Sequence, residues 1–195
     1  QWQLYLEGRP VADDVNRQIQ GYGSAPSVTH GETISFHITV NPVQTYTVAI
    51  YRVGYYGGQG GRLMAHAGPL NGAPQPDCPM APSTGLLECA WTPSLSMTVP
   101  LSWTTGIYRA VLTNKLNYQS AIHFTVRNDT RAADFLYQQP VLTYQAYNNW
   151  PAGTGKSLYE FNSSGANTVT GFKRAAKVSF DRPTPGLFNT RDADF

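Results

Sequence analysis

Hydrophobic and polar positions alternate along much of the first two thirds of the chain. Ile34, Phe36, Ile38 and Val40 interleave with Thr33, Ser35, His37 and Thr39, the period-two pattern of a strand buried on one face. His30-Gly31-Glu32 just before it reads as a turn centred on Gly31. Residues 45–53 form a β-branched and aromatic run that ends in Gly54-Tyr55-Tyr56-Gly57-Gly58-Gln59-Gly60-Gly61. Leu95, Met97 and Val99 alternate again and stop at Pro100, which has no N–H for a sheet ladder. Residues 107–113 follow the turn Thr104-Thr105-Gly106, and residues 114–118 lead into Ile122, Phe124 and Val126. No useful length of this region repeats its apolar residues at helical spacing. Short strands with turn chemistry between them predict an immunoglobulin-like or fibronectin-like β-sandwich over residues 23–127. Gly106-Ile107-Tyr108-Arg109-Ala110 has the form of a late strand of such a sandwich.

The flanks are less regular. Residues 1–22 mix strand-like and polar pieces and stand as an N-terminal extension. Arg127-Asn128-Asp129-Thr130-Arg131 is polar and marks a boundary, which leaves residues 128–195 as a third segment. Within it, residues 134–137, 158–161 and 177–180 read as short strands, and Asp181-Arg182-Pro183-Thr184-Pro185-Gly186 breaks what precedes. Three such strands are too few to close a core of their own. The segment either packs on the sandwich or opens a larger domain, and the second reading is preferred.

Composition narrows the class. Charged residues are only 13% of the 195, against a usual ~25%. The 18 Gly, 14 Pro and 12 Tyr fill the gap, a balance that suits a loop-rich β protein, secreted or at the cell surface. The net charge is +2 and no run of Lys or Arg occurs, so there is no electrostatic footprint for nucleic acid. No stretch approaches the roughly 20 apolar residues of a membrane span. Gln1-Trp2-Gln3-Leu4-Tyr5-Leu6 contains neither an initiator Met nor a signal peptide, and reads as a mature end left by processing or as a cut boundary.

Cys78 and Cys89 are the two cysteines and flank the Pro-rich loop Pro79-Met80-Ala81-Pro82-Ser83-Thr84-Gly85. A disulfide across so short a loop adds about 3 kcal/mol in the chain-entropy model. The alternative is two free thiols. A metal site there lacks a neighbouring His or third Cys. Asn128-Asp129-Thr130 and Asn162-Ser163-Ser164 fit the N-glycosylation triplet. The glycine phrase 54–61 has no following Lys-Ser or Lys-Thr, and Gly153-Thr154-Gly155-Lys156-Ser157 lacks phosphate-loop spacing. Asp13-Asp14, Asp181, Asp192 and Asp194 form no spaced glycosidase pair. His37 and His123 fall on polar positions and read as solvated or hydrogen-bonded residues. Tyr55, Tyr56, Trp91 and Trp103 allow a sugar-stacking platform, though packing explains them equally.

The densest chemistry is Thr143-Tyr144-Gln145-Ala146-Tyr147-Asn148-Asn149-Trp150, followed by Lys156-Ser157-Leu158-Tyr159-Glu160-Phe161-Asn162-Ser163. Aromatics and amides crowd into a span with few aliphatic residues, which is not how a plain core strand is written. Tyr147 reads from chemistry as a packed aromatic bonded to backbone, or as a ligand. Asn148 and Asn149 read as helix caps or pocket lining, with capping preferred.

Three stretches together resemble the large (beta) subunit family of N,N-dimethylformamidase. They are Ser27-Val28 with Gly31 through Ile38, Ile50-Tyr51-Arg52-Val53-Gly54-Tyr55-Tyr56-Gly57-Gly58, and a third group. That group joins Gln145 through Trp150, Lys156-Ser157-Leu158-Tyr159 and Val178-Ser179-Phe180-Asp181-Arg182-Pro183. The resemblance implies a mainly β chain, a β-sandwich followed by the opening segment of an α/β domain like that of glutamine amidotransferases. It also implies metal-dependent hydrolysis of the C–N bond of a small amide, with iron held by a tyrosine, a histidine and a glutamate. Tyr147 matches the tyrosine. The other two belong to a His-x-Glu phrase some way downstream of that tyrosine, and the four histidines here, His30, His37, His66 and His123, all precede Tyr147, so the resemblance implies a site completed by a second protein chain or by residues outside this chain. A phenolate is a hard oxygen donor suited to ferric iron. The rival expectation is a non-catalytic extracellular module, built on the sandwich, for binding or self-assembly.

Overall fold

The alternating segments pair into two sheets. The computed structural model describes residues 8–165 and 171–184. Its strands are β1 (Ile19–Gly23), β2 (Ser27–Thr29), β3 (Thr33–Val40), β4 (Gln44–Val53), β5 (Gly61–Gly72), β6 (Leu95–Thr98), β7 (Gly106–Asn114) and β8 (Gln119–Arg127). One sheet runs β1-β3-β6 and the other β2-β8-β7-β4-β5. Neighbours are antiparallel except β2, which lies parallel to β8 with Val28 opposite Val126. The chain is therefore mainly β and sandwich-like. The β1 strand draws residues 19–22, which the sequence left without a place, into the smaller sheet, where Gly21 faces Ile38.

Alternation fixes which residues meet between the layers. Ile34, Phe36, Ile38 and Val40 of β3 bury against Val48 and Ile50 of β4, Leu112 of β7 and Phe124 of β8. Phe36 and Phe124 meet edge-on with ring centroids 5.8 Å apart, the arrangement that ring quadrupoles favour. Tyr108 stacks on Trp103 at 4.7 Å, and its hydroxyl donates to the Thr104 carbonyl at 2.6 Å. That bond, from the start of a late strand to backbone four residues upstream, is the tyrosine corner of immunoglobulin-like sandwiches. Burial pushes the Tyr108 hydroxyl up to about 12, so it stays a donor.

The outer faces are covered as well. Val11 bridges to Gln119 and packs with Tyr51, Val111 and Ala121 on the far side of the larger sheet. Tyr22, Leu87, Cys89, Trp91 and Trp150 form a third apolar cluster. A disulfide joins Cys78 to Cys89, so these are not free thiols, and it closes the loop that supplies Leu87 to that cluster. Trp91 and Trp103 are buried, so packing accounts for both. Tyr55 is exposed, while Tyr56 lies beneath the Arg52 and Arg62 guanidiniums.

The C-terminal segment departs from expectation. Residues 134–137 are irregular, with Phe135 and Leu136 91% and 95% exposed, so their apolar character buries nothing and nucleates no strand. Residues 177–180 are irregular too, because their neighbourhood bonds to the 84–89 loop. Cys89 N donates to Asp181 O at 2.7 Å and Ala176 N to Thr84 O at 2.6 Å. Where a third strand was expected there is a 3₁₀ turn, Glu160–Asn162, and the aromatic stretch before it forms a short helix, α1 (Val141–Tyr147). Pro140 precedes α1, and among the described residues Trp150 and the 175–182 stretch pack on the sandwich and its 84–89 loop. Residues 1–7 of the expected extension, Pro185-Gly186, Asp192 and Asp194 lie outside the described residues.

Phe124→Ala opens a void between the two layers and is expected to cost about 3–5 kcal/mol. The denaturant midpoint should fall while the slope of the transition stays unchanged.

Candidate functional site

Trp150 seats the C-terminal segment. Its indole is fully buried, meets Trp91 edge-on at 6.0 Å and donates from Nε1 to Gln20 Oε1 at 2.9 Å. Truncating a buried Trp costs about 3–5 kcal/mol, whereas one hydrogen bond contributes about 0.5–1.5 kcal/mol. Burial therefore provides most of the docking energy and the Gln20 bond fixes orientation. Asp14 continues the same joint, accepting from Gln20 Nε2 at 2.6 Å and from Ala152 N at 2.9 Å. Burial pushes its carboxyl up. Burial also pushes Asp13 up, but bonds from Asn16, Gln18 and Val15 outweigh it and hold that carboxyl down at about 2. Both are structural carboxylates.

The amides do the local folding. Asn148 closes α1 as its C-terminal cap and is fully buried. Its Oδ1 accepts from Trp150 N at 2.9 Å, and its Nδ2 donates to Pro183 O at 3.0 Å. Asn149 Nδ2 donates to Asn162 O at 2.7 Å, and Asn162 Nδ2 to Tyr147 O at 2.9 Å. The Ser157 hydroxyl donates to Asn162 Oδ1. Gly155 lets the loop fold back, since a Cβ there would sit 2.2 Å from the Asn149 carbonyl oxygen.

These bonds bring two tyrosines together. Leu158 N donates to Ala146 O at 3.0 Å, which sets Tyr159 beside Tyr147. Their rings stack at 4.2 Å and 21°, with Phe161 edge-on to Tyr147 at 6.1 Å. The hydrogen bond to Tyr159 holds the Tyr147 hydroxyl above the ordinary phenol value, and the charge of a neighbouring phenolate would add to this. The group is half-exposed. Among the described residues no three His, Cys, Asp or Glu converge as a metal site. Tyr147 offers a phenol oxygen there, and no set of metal ligands is assembled around it among the described residues.

Two buried cations tie the neighbouring loops. Lys156 Nζ donates to the Ser164 and Lys173 carbonyls at 2.8 and 2.6 Å. Arg182 donates to Asn148 O at 2.6 Å and Lys156 O at 3.2 Å, and burial lowers its guanidinium to about 10. Neither was singled out from sequence as functional, and an isolated Lys or Arg carries no sign that it will be buried. The sequence reading of His37 holds: its Nδ1 lies 2.6 Å from Trp91 O. His123 differs, because its Nε2 is shut off from solvent without a partner. Its position across from Arg109 in the β7–β8 register and under the C-terminal segment explains this.

Residues 47–195 match the family described as N,N-dimethylformamidase beta subunit-like, C-terminal. The chain belongs to this family. Tyr147, Tyr159, His123 and Arg182 all lie inside the matched span. A 1.4 Å crystal structure of an uncharacterized protein from Bacillus anthracis str. Ames is similar at a TM-score of 0.32 and 14% identity, over 60% of this chain and 86% of that one. No curated protein matches the chain. Among the described residues no helix is long and apolar enough to cross a membrane.

Burial first, and then Arg109, pushes the His123 imidazole down to about 3. An unfolded His titrates near 6.5, so between those values the unfolded chain takes up a proton that the folded chain refuses. This contribution to stability is full above about pH 6.5 and is lost as pH falls through the window. His123→Phe is expected to flatten the stability-versus-pH curve between about pH 6 and 4, measured by urea unfolding. Gly155→Ala should pull the loop off Asn149 and separate the two tyrosines, read as a change in the near-ultraviolet tyrosine signal.

Proposed function

We propose that this chain is part of a metal-dependent amidohydrolase resembling N,N-dimethylformamidase, acting on the C–N bond of a small amide. The observation that carries the reading is the Tyr147–Tyr159 pair. A half-exposed phenol bonded to a second phenol sits on a loop frame tied by Asn148, Asn149 and Asn162, within the family-matched span. Tyr147 would hold iron, with a histidine and a carboxylate supplied from outside this chain. Bound iron would supply the positive charge that stabilises the phenolate and polarises an amide carbonyl. The chain's own contribution is to orient that donor. Tyr159 keeps the proton on Tyr147 until a cation displaces it, and stacking on Tyr159 with the edge contact to Phe161 restricts the ring. On this reading residues 128–195 open an α/β domain of the glutamine-amidotransferase kind, completed by a partner chain or further residues. The Cys78–Cys89 disulfide favours an oxidising compartment, in keeping with a secreted or cell-surface protein.

A second reading has support of its own. Phe135, Leu136, Leu142 and Phe161 stand in solvent, and large exposed apolar side chains mark surfaces that meet other proteins. On that reading the chain is a non-catalytic extracellular module for binding or self-assembly.

Elemental mass spectrometry on the natively purified assembly separates the two. The amidohydrolase reading expects near-stoichiometric iron, at least a tenfold loss of it in Tyr147→Phe, and a co-purifying sequence with a His-x-Glu phrase. Metal-free wild-type protein that self-associates would transfer the assignment to the assembly module.

A further inference from the structure

A cleft of about 80 Å³ lies between the sandwich and the C-terminal segment. Its walls include His123 of β8, Gln139, Val141 and Gln145 around α1, and Arg182. Two polar atoms of these walls are buried without a hydrogen-bond partner, Arg182 Nε and His123 Nε2. Arg182 is 1% exposed and remains a cation at neutral pH. Its other two nitrogens are spent on the Asn148 and Lys156 carbonyls, and among the described residues no carboxylate forms an ion pair with it.

A buried guanidinium with no counter-ion is costly, and a buried N–H with no acceptor adds a desolvation cost. The neighbouring groups have the same polarity. Gln139 uses its amide oxygen to accept from the Thr125 hydroxyl at 2.6 Å. Gln145 uses its amide oxygen to accept from Asn148 Nδ2 at 3.1 Å. Each therefore presents its NH₂ as a further donor. His123 is neutral, so its Nε2 donates in one tautomer. A partly apolar cleft that carries these donors and one unpaired cation is complementary to an oxyanion with a short apolar tail.

We propose that this cleft binds a small carboxylate, with Arg182 Nε and His123 Nε2 donating to its oxygens. The volume sets the size. A water needs roughly 10–15 Å³ of such space, and a cavity of roughly 150 Å³ takes benzene, so about 80 Å³ admits an acid of one to three carbons and rejects an aromatic one. The proposal does not rest on the amidohydrolase reading, because it uses neither Tyr147 nor a metal.

The test is a titration of the 195-residue chain, labelled with ¹⁵N, following the arginine Nε–H resonances. The probe is sodium acetate, balanced with sodium chloride at constant ionic strength, and acetamide is the neutral control of the same shape. The expected result is a saturable shift of the Arg182 Nε–H with half-saturation on the order of millimolar, and no shift with acetamide. Arg182→Met should abolish binding, but Arg182 also tethers two loops, so that variant can fail to fold. Val141→Phe therefore serves as the second variant. It fills the cleft and keeps Arg182, and it should remove the acetate response with the thermal midpoint within a few degrees of wild type. Absence of a saturable shift, an equal response to acetamide, or an acetate response that survives Val141→Phe would each overturn the proposal.

Discussion

The burial of Trp150 is the constraint on which the C-terminal segment depends. A segment of short irregular pieces has no core of its own, so it needs apolar surface on the sandwich. One indole, wedged against Trp91 and tied to Gln20, supplies it. Arg17 lies over the ring at 5.5 Å and pairs with Asp77 at 2.8 Å, but Asp77 is exposed and such pairs add little. The disulfide between Cys78 and Cys89 fixes the loop that forms the other side of the seat. The sandwich is therefore the platform on which the tyrosine-bearing loops take shape.

From that seat outward, the structure is held by amides and carbonyls. Asn148, Asn149, Asn162 and Ser157 satisfy backbone groups that a helix or sheet would otherwise satisfy. Loops built this way can carry a precise arrangement without regular secondary structure. That arrangement is the Tyr147–Tyr159 stack, positioned by Leu158 bonding to Ala146 and Asn162 bonding to Tyr147. The same economy explains Lys156 and Arg182. Each holds two carbonyls, and a cation with several donors is a compact way to tie loops that have unpaired oxygens.

Much of the sandwich was legible in the sequence. The alternation at Ile34–Val40, the run ending at Val53, and the repeats at Leu95–Val99 and Ile122–Val126 became β3, β4, β6 and β8, because period two is a direct imprint of one buried face. The family phrases around Tyr51 and Tyr147 were legible for a similar reason, since they depend on residue identity in order. The short β1 strand was harder to see, because Gly21 and Gly23 break its pattern. Residues 134–137 were misleading, because exposed Phe135 and Leu136 look the same in sequence as buried ones.

Sequence alone determined the mainly β class, the strands β3, β4, β6, β7 and β8, the family and the candidate tyrosine, all of which follow from local order and local periodicity. Only the tertiary structure decided that the 141–147 stretch is helical, that Trp150 and Arg182 are buried, that Tyr159 stacks on Tyr147, and that His123 and Arg182 line one cleft. Those facts depend on which loops meet across the sandwich face. Meeting is governed by long-range burial and hydrogen bonding between residues 34 to 138 positions apart, and no short window of the chain contains both partners.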